Sequence, residues 1–270
     1  MKIEINHAQA AALQLENRNE RLKSNLGFIK QHHGFRKGMI HALIGTTGGG
    51  KTTLRNSLIV DFVSNNPKKN IFIWQSEEST EDLMTKLSRN NEVINSKNIF
   101  CVSEPDLVGE KSSKEIQKMF FEEPINCEAD LVIFDNLTTS SLYGHRPNEQ
   151  ADFAAKLKVQ AKETGIPHLL LLHTAKGIGM NHKGFISSSD VRGSASVVNL
   201  AEYSYNLQQF HIGTSIVTTV ICEKSRHHTK EHVYFQVTFN SERQLYDKCV
   251  PLSFEDMKNL YKHRNTLGGV

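Results

Sequence analysis

The sequence lacks any apolar run long enough to cross a bilayer. A transmembrane helix needs about 20 consecutive apolar residues, whereas runs such as Leu169 to Leu172 are among the longest here. The N terminus also has no apolar core of the kind that a signal peptide requires. We therefore expect a soluble, cytoplasmic protein with no membrane partner.

Cysteine and net charge are also scarce. The four cysteines form no CxxC pair and no short Cys/His ligand set, so we expect reduced thiols and no structural zinc. They are Cys101, Cys127, Cys222 and Cys249. The 32 Lys and Arg residues exceed the 29 Asp and Glu residues by only three. Net charge therefore gives no indication of nucleic-acid binding, and any basic surface has to be identified locally.

What the sequence does contain is an alternation of short apolar segments with longer amphipathic ones. This pattern predicts an α/β fold, in which a mostly parallel sheet is covered on both faces. The predicted strands of this part are Met39–Ile44, Asn70–Gln75, Asn98–Val102, Asp130–Phe134 and Pro167–His173. The predicted helices include Thr53–Ser64, Glu81–Ser88 and Glu149–Glu163.

After Glu202 the pattern changes to alternating segments rich in β-branched and aromatic residues, joined by short loops. Such segments predict antiparallel strands that extend the sheet. They are Tyr203–Leu207, Ser215–Cys222 and His232–Phe239.

No repeat and no Pro/Gly-rich linker divides the chain. We predict a helical arm and lead-in over residues 1–38, one large domain over residues 39–250 and a helical tail over residues 251–270. In the arm, residues 6–26 are predicted to form a helix that ends at Gly27 and carries a narrow apolar stripe. This helix would pack either on its own domain or on a neighbouring subunit.

A glycine-rich segment fits the phosphate-loop pattern G-x-x-x-x-G-K-[ST]. It follows an apolar strand and opens a helix, as phosphate binding requires, because successive backbone N–H groups and the helix N terminus then face the anion. Lys51 is predicted to reach the β- and γ-phosphate oxygens, and the hydroxyl of Thr52 to bind Mg²⁺. The predicted nucleotide-binding residues are Gly45, Thr46, Thr47, Gly48, Gly49, Gly50, Lys51, Thr52 and Thr53.

Carboxylates follow two other predicted strands. Asp135 comes directly after four apolar residues and is predicted to hold the metal through water. Glu77 and Glu78 follow the strand that ends at Gln75, where one of them could orient the attacking water. The alternative is that they are solvated acids in the first turn of a helix.

Taken together, these motifs resemble those of RecA-fold motor ATPases, most closely the DnaB-type and RepA-type hexameric helicases. The resemblance spans about residues 27–240, and the motifs occur in the order that the family shows. Besides the phosphate loop, the matching segments are Ser76-Glu77-Glu78, Asp135-Asn136, Leu172-His173-Thr174-Ala175-Lys176, Asp190-Val191-Arg192-Gly193-Ser194 and Glu223-Lys224-Ser225-Arg226.

The resemblance implies roles for further residues. Its Ser-x-Glu register places the catalytic base at Glu78, with Glu77 as the second choice. Lys224 and Arg226 would reach the γ-phosphate held by an adjacent subunit, where an added Arg can accelerate hydrolysis by ~10³–10⁵. His173 would be a sensor between nucleotide and nucleic acid, although a lone His at a strand end is also common as a satisfied core residue.

In such motors, the polar loops after the strands face a central channel. Here they are Thr138–Asn148 and Gly177–Ser189. The resemblance implies that Lys176, Lys183 and Arg192 contact DNA, and the donors of the second loop suit phosphate contacts that do not depend on base sequence.

The function implied is that of an ATP- and Mg²⁺-dependent helicase that forms a homo-oligomer, a hexameric ring, on single-stranded DNA during replication. About 38 residues precede the motor, which fits a minimal RepA-like form without a separate N-terminal domain. A primase or a loader is an open candidate partner. Two alternatives remain: a RecA- or RadA-like strand-exchange filament, and an ATP-binding assembly protein that switches partners without moving DNA.

Overall fold

The structure, a computed structural model, describes residues 21–107, 109–144, 146–175, 185–193, 196–226 and 232–266. The strands of this part form one nine-stranded sheet. They are β1 (Ile40–Gly45), β2 (Asn70–Gln75), β3 (Ile99–Ser103), β4 (Ala129–Asp135), β5 (His168–His173), β6 (Tyr203–Ile212), β7 (Ser215–Ser225), β8 (Val233–Asn240) and β9 (Leu245–Leu252).

The sheet has the order β3-β2-β4-β5-β1-β6-β7-β8-β9. The six strands from β3 to β6 run parallel, and β7, β8 and β9 add to them in antiparallel pairs. The predicted α/β class, with a mostly parallel centre and antiparallel C-terminal strands, is confirmed.

Helices cover both faces of this sheet. They are α1 (Gly27–Lys30), α2 (Lys51–Asn65), α3 (Thr80–Leu87), α4 (Asn91–Ile94), α5 (Glu104–Leu107), α6 (Ser113–Asn126), α7 (Pro147–Thr164), α8 (Ser196–Leu200) and α9 (Phe254–Thr266). Successive side chains of a strand point to opposite faces. Leu43 of β1 therefore packs in the apolar cluster that contains α2, while Ala42 and Ile44 pack in the cluster that contains α6 and α7.

Apart from the helix predicted over residues 6–26, the predicted elements agree with the observed ones to within a few residues, except that strands β6 and β7 run on past their predicted ends. In α7, the predicted apolar face of Phe153, Leu157 and Ala161 is buried. The sequence patterns missed α6 and β9. Helix α9 lies within the segment expected to form a helical tail, and the domain division itself stays a prediction.

The predicted helix over residues 6–26 is wrong in its described part. Residues 1–20 lie outside the described residues, and residues 21–26 are not helical. Leu22 instead forms an antiparallel bridge with Phe35, and the backbone N–H of Lys23 donates to Asn66 Oδ1 at the end of α2. Gly27 begins a helix rather than ending one. Tertiary hydrogen bonds have therefore overridden the helical periodicity.

The carboxyl ends of four parallel strands meet at one edge of the sheet. Gly45 at the end of β1 is paired with His173 at the end of β5. Gln75 at the end of β2 is paired with Asp135 at the end of β4. Ligands of open α/β sheets bind at this edge, and the candidate site lies there.

Within the described residues, no helix is both long and apolar enough to cross a membrane.

Candidate functional site

The segment between β1 and α2 has the geometry of a phosphate-binding loop. It follows Gly45, the last residue of β1, and α2 begins directly after Gly50. Gly50 has a φ of +88°, and a Cβ there would collide with the hydroxyl of Tyr246. Both facts require glycine. The predicted nucleotide-binding residues 45–53 therefore span this loop and the first turn of α2, whose N terminus can stabilise an anion.

The Lys51 side chain is held over this loop. Its Nζ donates to the carbonyl oxygens of Gly45 at 3.0 Å and Thr46 at 2.8 Å. The same Nζ lies 2.8 Å from Nδ1 of His173. Burial lowers the pKa of Lys51 from 10.5 to about 8, although nearby carboxylates oppose part of the shift. The ammonium group is therefore still charged at neutral pH.

His173 connects Lys51 to Glu77. Its Nε2 lies 3.0 Å from Oε1 of Glu77. Because an ammonium group can only donate, Nδ1 of His173 must accept from Lys51, so the proton is on Nε2 and is donated to Glu77. This hydrogen bond from His173 is the largest cause of the lowered pKa of Glu77, and it keeps that carboxylate ionised. We call Lys51, His173 and Glu77 the phosphate-loop triad.

Glu78, the neighbouring acid, has different partners. Its Oε1 accepts from Nη2 of Arg55 at 3.1 Å, and its Oε2 accepts from Nζ of Lys86. The Glu78 side chain is 15% exposed, whereas that of Glu77 is 43% exposed. The two adjacent glutamates are therefore distinguished by their contacts, because one joins the phosphate-loop triad and the other is held between two cations.

Asp135, the predicted metal residue, ends β4 and is only 5% exposed. Its Oδ2 accepts from Nη1 of Arg55 at 2.6 Å. Burial raises the pKa of this carboxyl and Arg55 opposes the rise. Thr52 lies in the first turn of α2. A carboxylate and a hydroxyl are oxygen donors of the kind that Mg²⁺ prefers, with water and phosphate oxygens completing its shell, so these two residues fit the ion.

A metal site made of protein ligands alone is not found in the part of the chain that the structure describes. No group of three or more His, Cys, Asp or Glu side chains there could hold an ion. Any Mg²⁺ bound by Asp135 and Thr52 would therefore depend on water and on the phosphates of a nucleotide for its remaining ligands.

The backbone of His173 anchors the segment that follows β5. Its carbonyl accepts from the backbone N–H of Arg192 at 2.8 Å. The N–H of Ala175 donates to the carbonyl of Asp190 at 2.7 Å. The chain that leaves β5 thus returns at residues 190–192 to pair with its own start, directly after the side chain of His173.

The predicted DNA contacts are only partly described. Arg192 is exposed. Lys176 and Lys183 lie outside the described residues, as does most of the loop Gly177–Ser189. The other loop, Thr138–Asn148, includes the end of one 3₁₀ turn and the whole of a second. The DNA-binding roles stay predictions.

The candidate trans-acting cations, Lys224 and Arg226, contact the end of α8 in the same chain. Lys224 Nζ donates to the carbonyls of Val198 at 2.9 Å and Asn199 at 3.3 Å, and Arg226 Nη2 also donates to the carbonyl of Asn199. Helix C termini favour such cations. Partial burial, followed by the charge of Arg226, lowers the pKa of Lys224. In this chain the pair thus contacts the end of α8 rather than the phosphate-loop triad.

Arg55 is a residue of the site that the sequence patterns did not single out. It lies on α2 and is fully buried, and its Nη1 also donates to Oε1 of Gln75 at 3.1 Å. The spacing of four residues between Lys51 and Arg55, both on α2, was the available signal, because residues i and i+4 share a helix face. An arginine in a predicted helix is usually exposed, so its identity alone gave no indication of a role in the site.

No protein-family model matches this sequence, and no curated protein does so either. Among solved structures, the crystal structure of a KaiC-like protein from the hyperthermophilic archaeon Pyrococcus horikoshii OT3 is similar to this chain, with a TM-score of 0.63 and 18% sequence identity. The match covers 87% of this chain and 99% of that one. At this identity the similarity shows the fold alone. The RecA-like fold is confirmed, and the narrower likeness to DnaB-type helicases is not shown by it.

Proposed function

We propose that this chain hydrolyses ATP at the phosphate loop. The observation that carries the proposal is the phosphate-loop triad, in which a buried lysine beside the loop is joined through His173 to the ionised carboxylate of Glu77. Phosphoryl transfer is catalysed by positioning and charge rather than by covalent chemistry. A glycine loop, a helix N terminus, a lysine and a carboxylate supply these requirements.

Each residue of the triad has a distinct task. Lys51 exchanges its two loop carbonyls for phosphate oxygens when nucleotide enters. Glu77 is the more exposed of the two glutamates and positions the attacking water, although the motif register favours Glu78. His173 fixes the orientation of that carboxylate. Thr52 and Asp135 would hold Mg²⁺, which would supply charge neutralisation at the phosphates.

We further propose that Lys224 and Arg226 complete the site of a neighbouring subunit in a hexameric ring. Support comes from their anchoring, because both cations bind main-chain carbonyls rather than a carboxylate. A carbonyl oxygen carries no net charge, so a phosphate on an adjacent subunit can compete with these carbonyls for the two cations. Such head-to-tail contacts generate closed rings when the rotation closes.

We propose that the protein moves along single-stranded DNA during replication, with a primase or a loader as a candidate partner. The support is the short connection between the triad and the segment 176–184, because the His173 side chain contacts Lys51 and Glu77 while its carbonyl pairs with Arg192. A ligand that binds this segment can thus influence the position of His173.

The test is ATP hydrolysis by the whole chain with Mg²⁺, with and without a single-stranded oligonucleotide, together with negative-stain images of the same samples. The proposal expects hydrolysis that DNA stimulates, and rings. Filaments would favour a strand-exchange protein. Hydrolysis that DNA does not stimulate would favour an ATP-binding assembly protein.

ATP binding is expected to weaken as the pH rises above about 8. The pKa of Lys51 is lowered to about 8 in the free protein. Above this value the free protein loses the charge that phosphate requires, so affinity should fall by up to about tenfold per pH unit. Isothermal titration between pH 7 and 9.5 measures the effect. The ATP affinity of Lys51→Ala should not show this loss with rising pH. Equal slopes of log affinity against pH in the two proteins would contradict the prediction.

Replacing Lys176 or Lys183 by Ala is expected to weaken single-stranded DNA binding by the same factor for two unrelated sequences. Removing one phosphate interaction should reduce the slope of log affinity against log salt by about 0.7. Fluorescence anisotropy at several salt concentrations measures both quantities. Unchanged slopes would show that these lysines do not bind the DNA phosphates.

A further inference from the structure

Arg55 is a buried cation at the centre of the candidate site. It lies one helical turn after Lys51 on α2, and none of its surface is exposed. A buried charge requires partners, because leaving water is costly for an ion. The partners come from three places in the sequence besides α2 itself: the end of β2, the turn after it and the end of β4.

All five N–H donors of this guanidinium have an acceptor. Nη1 donates to Oδ2 of Asp135 and to Oε1 of Gln75. Nη2 donates to Oε1 of Glu78 and to Oδ1 of Asn56, and Nε donates to the same Asn56 oxygen. A planar fork with every donor satisfied fixes the relative positions of the groups around it, which a lysine ammonium group cannot do.

The guanidinium group of Arg55 binds Glu78 but not Glu77. Glu78 is placed between Arg55 and Lys86, whereas Glu77 is bonded to His173. Asp135, the candidate metal residue, is held by the same guanidinium. One side chain therefore contacts both the carboxylate that would hold the metal and one of the two adjacent glutamates.

We propose that Arg55 is a positioning residue of the hydrolysis site, which holds the carboxylates of Asp135 and Glu78 in one fixed arrangement and so leaves Glu77 as the glutamate that serves the phosphate loop. The inference rests on the proposed ATP hydrolysis. It concerns a residue that need not touch ATP or water and that acts through the acids it holds.

The experiment compares Arg55→Lys with Lys86→Met in the full chain. Both changes alter a cation that contacts Glu78, but Lys86 is about half exposed and holds no other carboxylate of the site. Arg55→Lys keeps the positive charge but loses the planar guanidinium group with its five donors. We expect its kcat to fall at least tenfold while KM for ATP changes less than threefold, and we expect Lys86→Met to keep kcat within twofold.

Two results would overturn the inference. A folded Arg55→Lys protein with normal kcat and only a lower Tm would make Arg55 a purely structural ion-pair partner. An equal loss of kcat in Lys86→Met would mean that the charge balance around Glu78 matters rather than the fork. Circular dichroism and size-exclusion chromatography establish folding before the kinetics are measured.

If Arg55→Lys does not fold, Glu78→Gln provides the second test, because its amide oxygen can still accept from Arg55. The inference expects at least a third of the wild-type kcat. A hundredfold loss would overturn it, since Glu78 would then act on the water itself. Failure of the proposed function is recognised separately, by a wild-type protein that hydrolyses no more ATP than Lys51→Ala.

Discussion

Glu77→Gln is expected to stop ATP turnover while leaving ATP bound. Glutamine keeps the size of the side chain and its hydrogen bond to His173 but cannot accept a proton from water. Positioned general bases contribute about 10²–10⁴ in rate, so kcat should fall at least a hundredfold with ATP affinity within about threefold. Steady-state hydrolysis and equilibrium binding of ATP, measured on the same preparation, give the two values.

The matched control for this prediction is the adjacent acid. Glu78→Gln should retain at least a third of the turnover, because Glu78 contacts Arg55 and Lys86 instead of the phosphate-loop triad. Lys51→Ala should abolish both hydrolysis and tight ATP binding, because it removes the ammonium group that binds phosphate. The reverse result, an inactive Glu78→Gln protein beside an active Glu77→Gln protein, would restore the register that the sequence motif implies.

Mixing two inactive proteins is expected to restore hydrolysis. Lys51→Ala lacks the phosphate-binding lysine and Arg226→Ala lacks the trans-acting cation, so each should be nearly inactive alone. In a head-to-tail ring with random subunit exchange, about a quarter of the interfaces pair an intact loop with an intact Arg226. Activity should return to about that fraction of wild type if sites work independently, and to less if the ring fires in concert.

Subunit exchange must be demonstrated independently, for example by energy transfer between labelled subunits. Exchange without recovery would argue against independently working sites built from two subunits. An Arg226→Ala protein with normal hydrolysis would reject the trans-acting role outright, and the bonds of Arg226 to the end of α8 would then be structural only.

Local sequence patterns predicted well which residues lie at the carboxyl ends of the parallel strands. The loop that ends at Gly50 and the carboxylate of Asp135 were both identifiable because each depends on a few consecutive residues: an apolar run followed by glycines or by an acid. Their meeting at one edge follows from parallel strand order. Residues 21–26 could not be predicted in this way, because the backbone N–H groups of Lys23 and Asn25 bind side chains on or beside α2 that are more than 30 residues distant.

The different contacts of the two glutamates also could not be predicted from the sequence. Glu77 and Glu78 are chemically identical neighbours, and a motif register can distinguish them only if it is correct to the residue. Their contacts differ because His173 comes from β5 and Arg55 from α2, which are far apart in the chain. The role of Arg55 could not be predicted either, because its partners are distant in the sequence and come together only on folding.

The return of the chain after β5 has a thermodynamic consequence. Because Ala175 already pairs with Asp190, and His173 with Arg192, the entropy of closing the intervening loop is part of folding and does not oppose ligand binding. Closure entropy grows only logarithmically with length. Doubling the whole loop between Ala175 and Asp190 would cost about 0.6 kcal/mol, and doubling only the segment 176–184 within it should destabilise the protein by less than that. The length and composition of this segment can therefore diverge widely, by mutation or by design, while the phosphate loop stays folded.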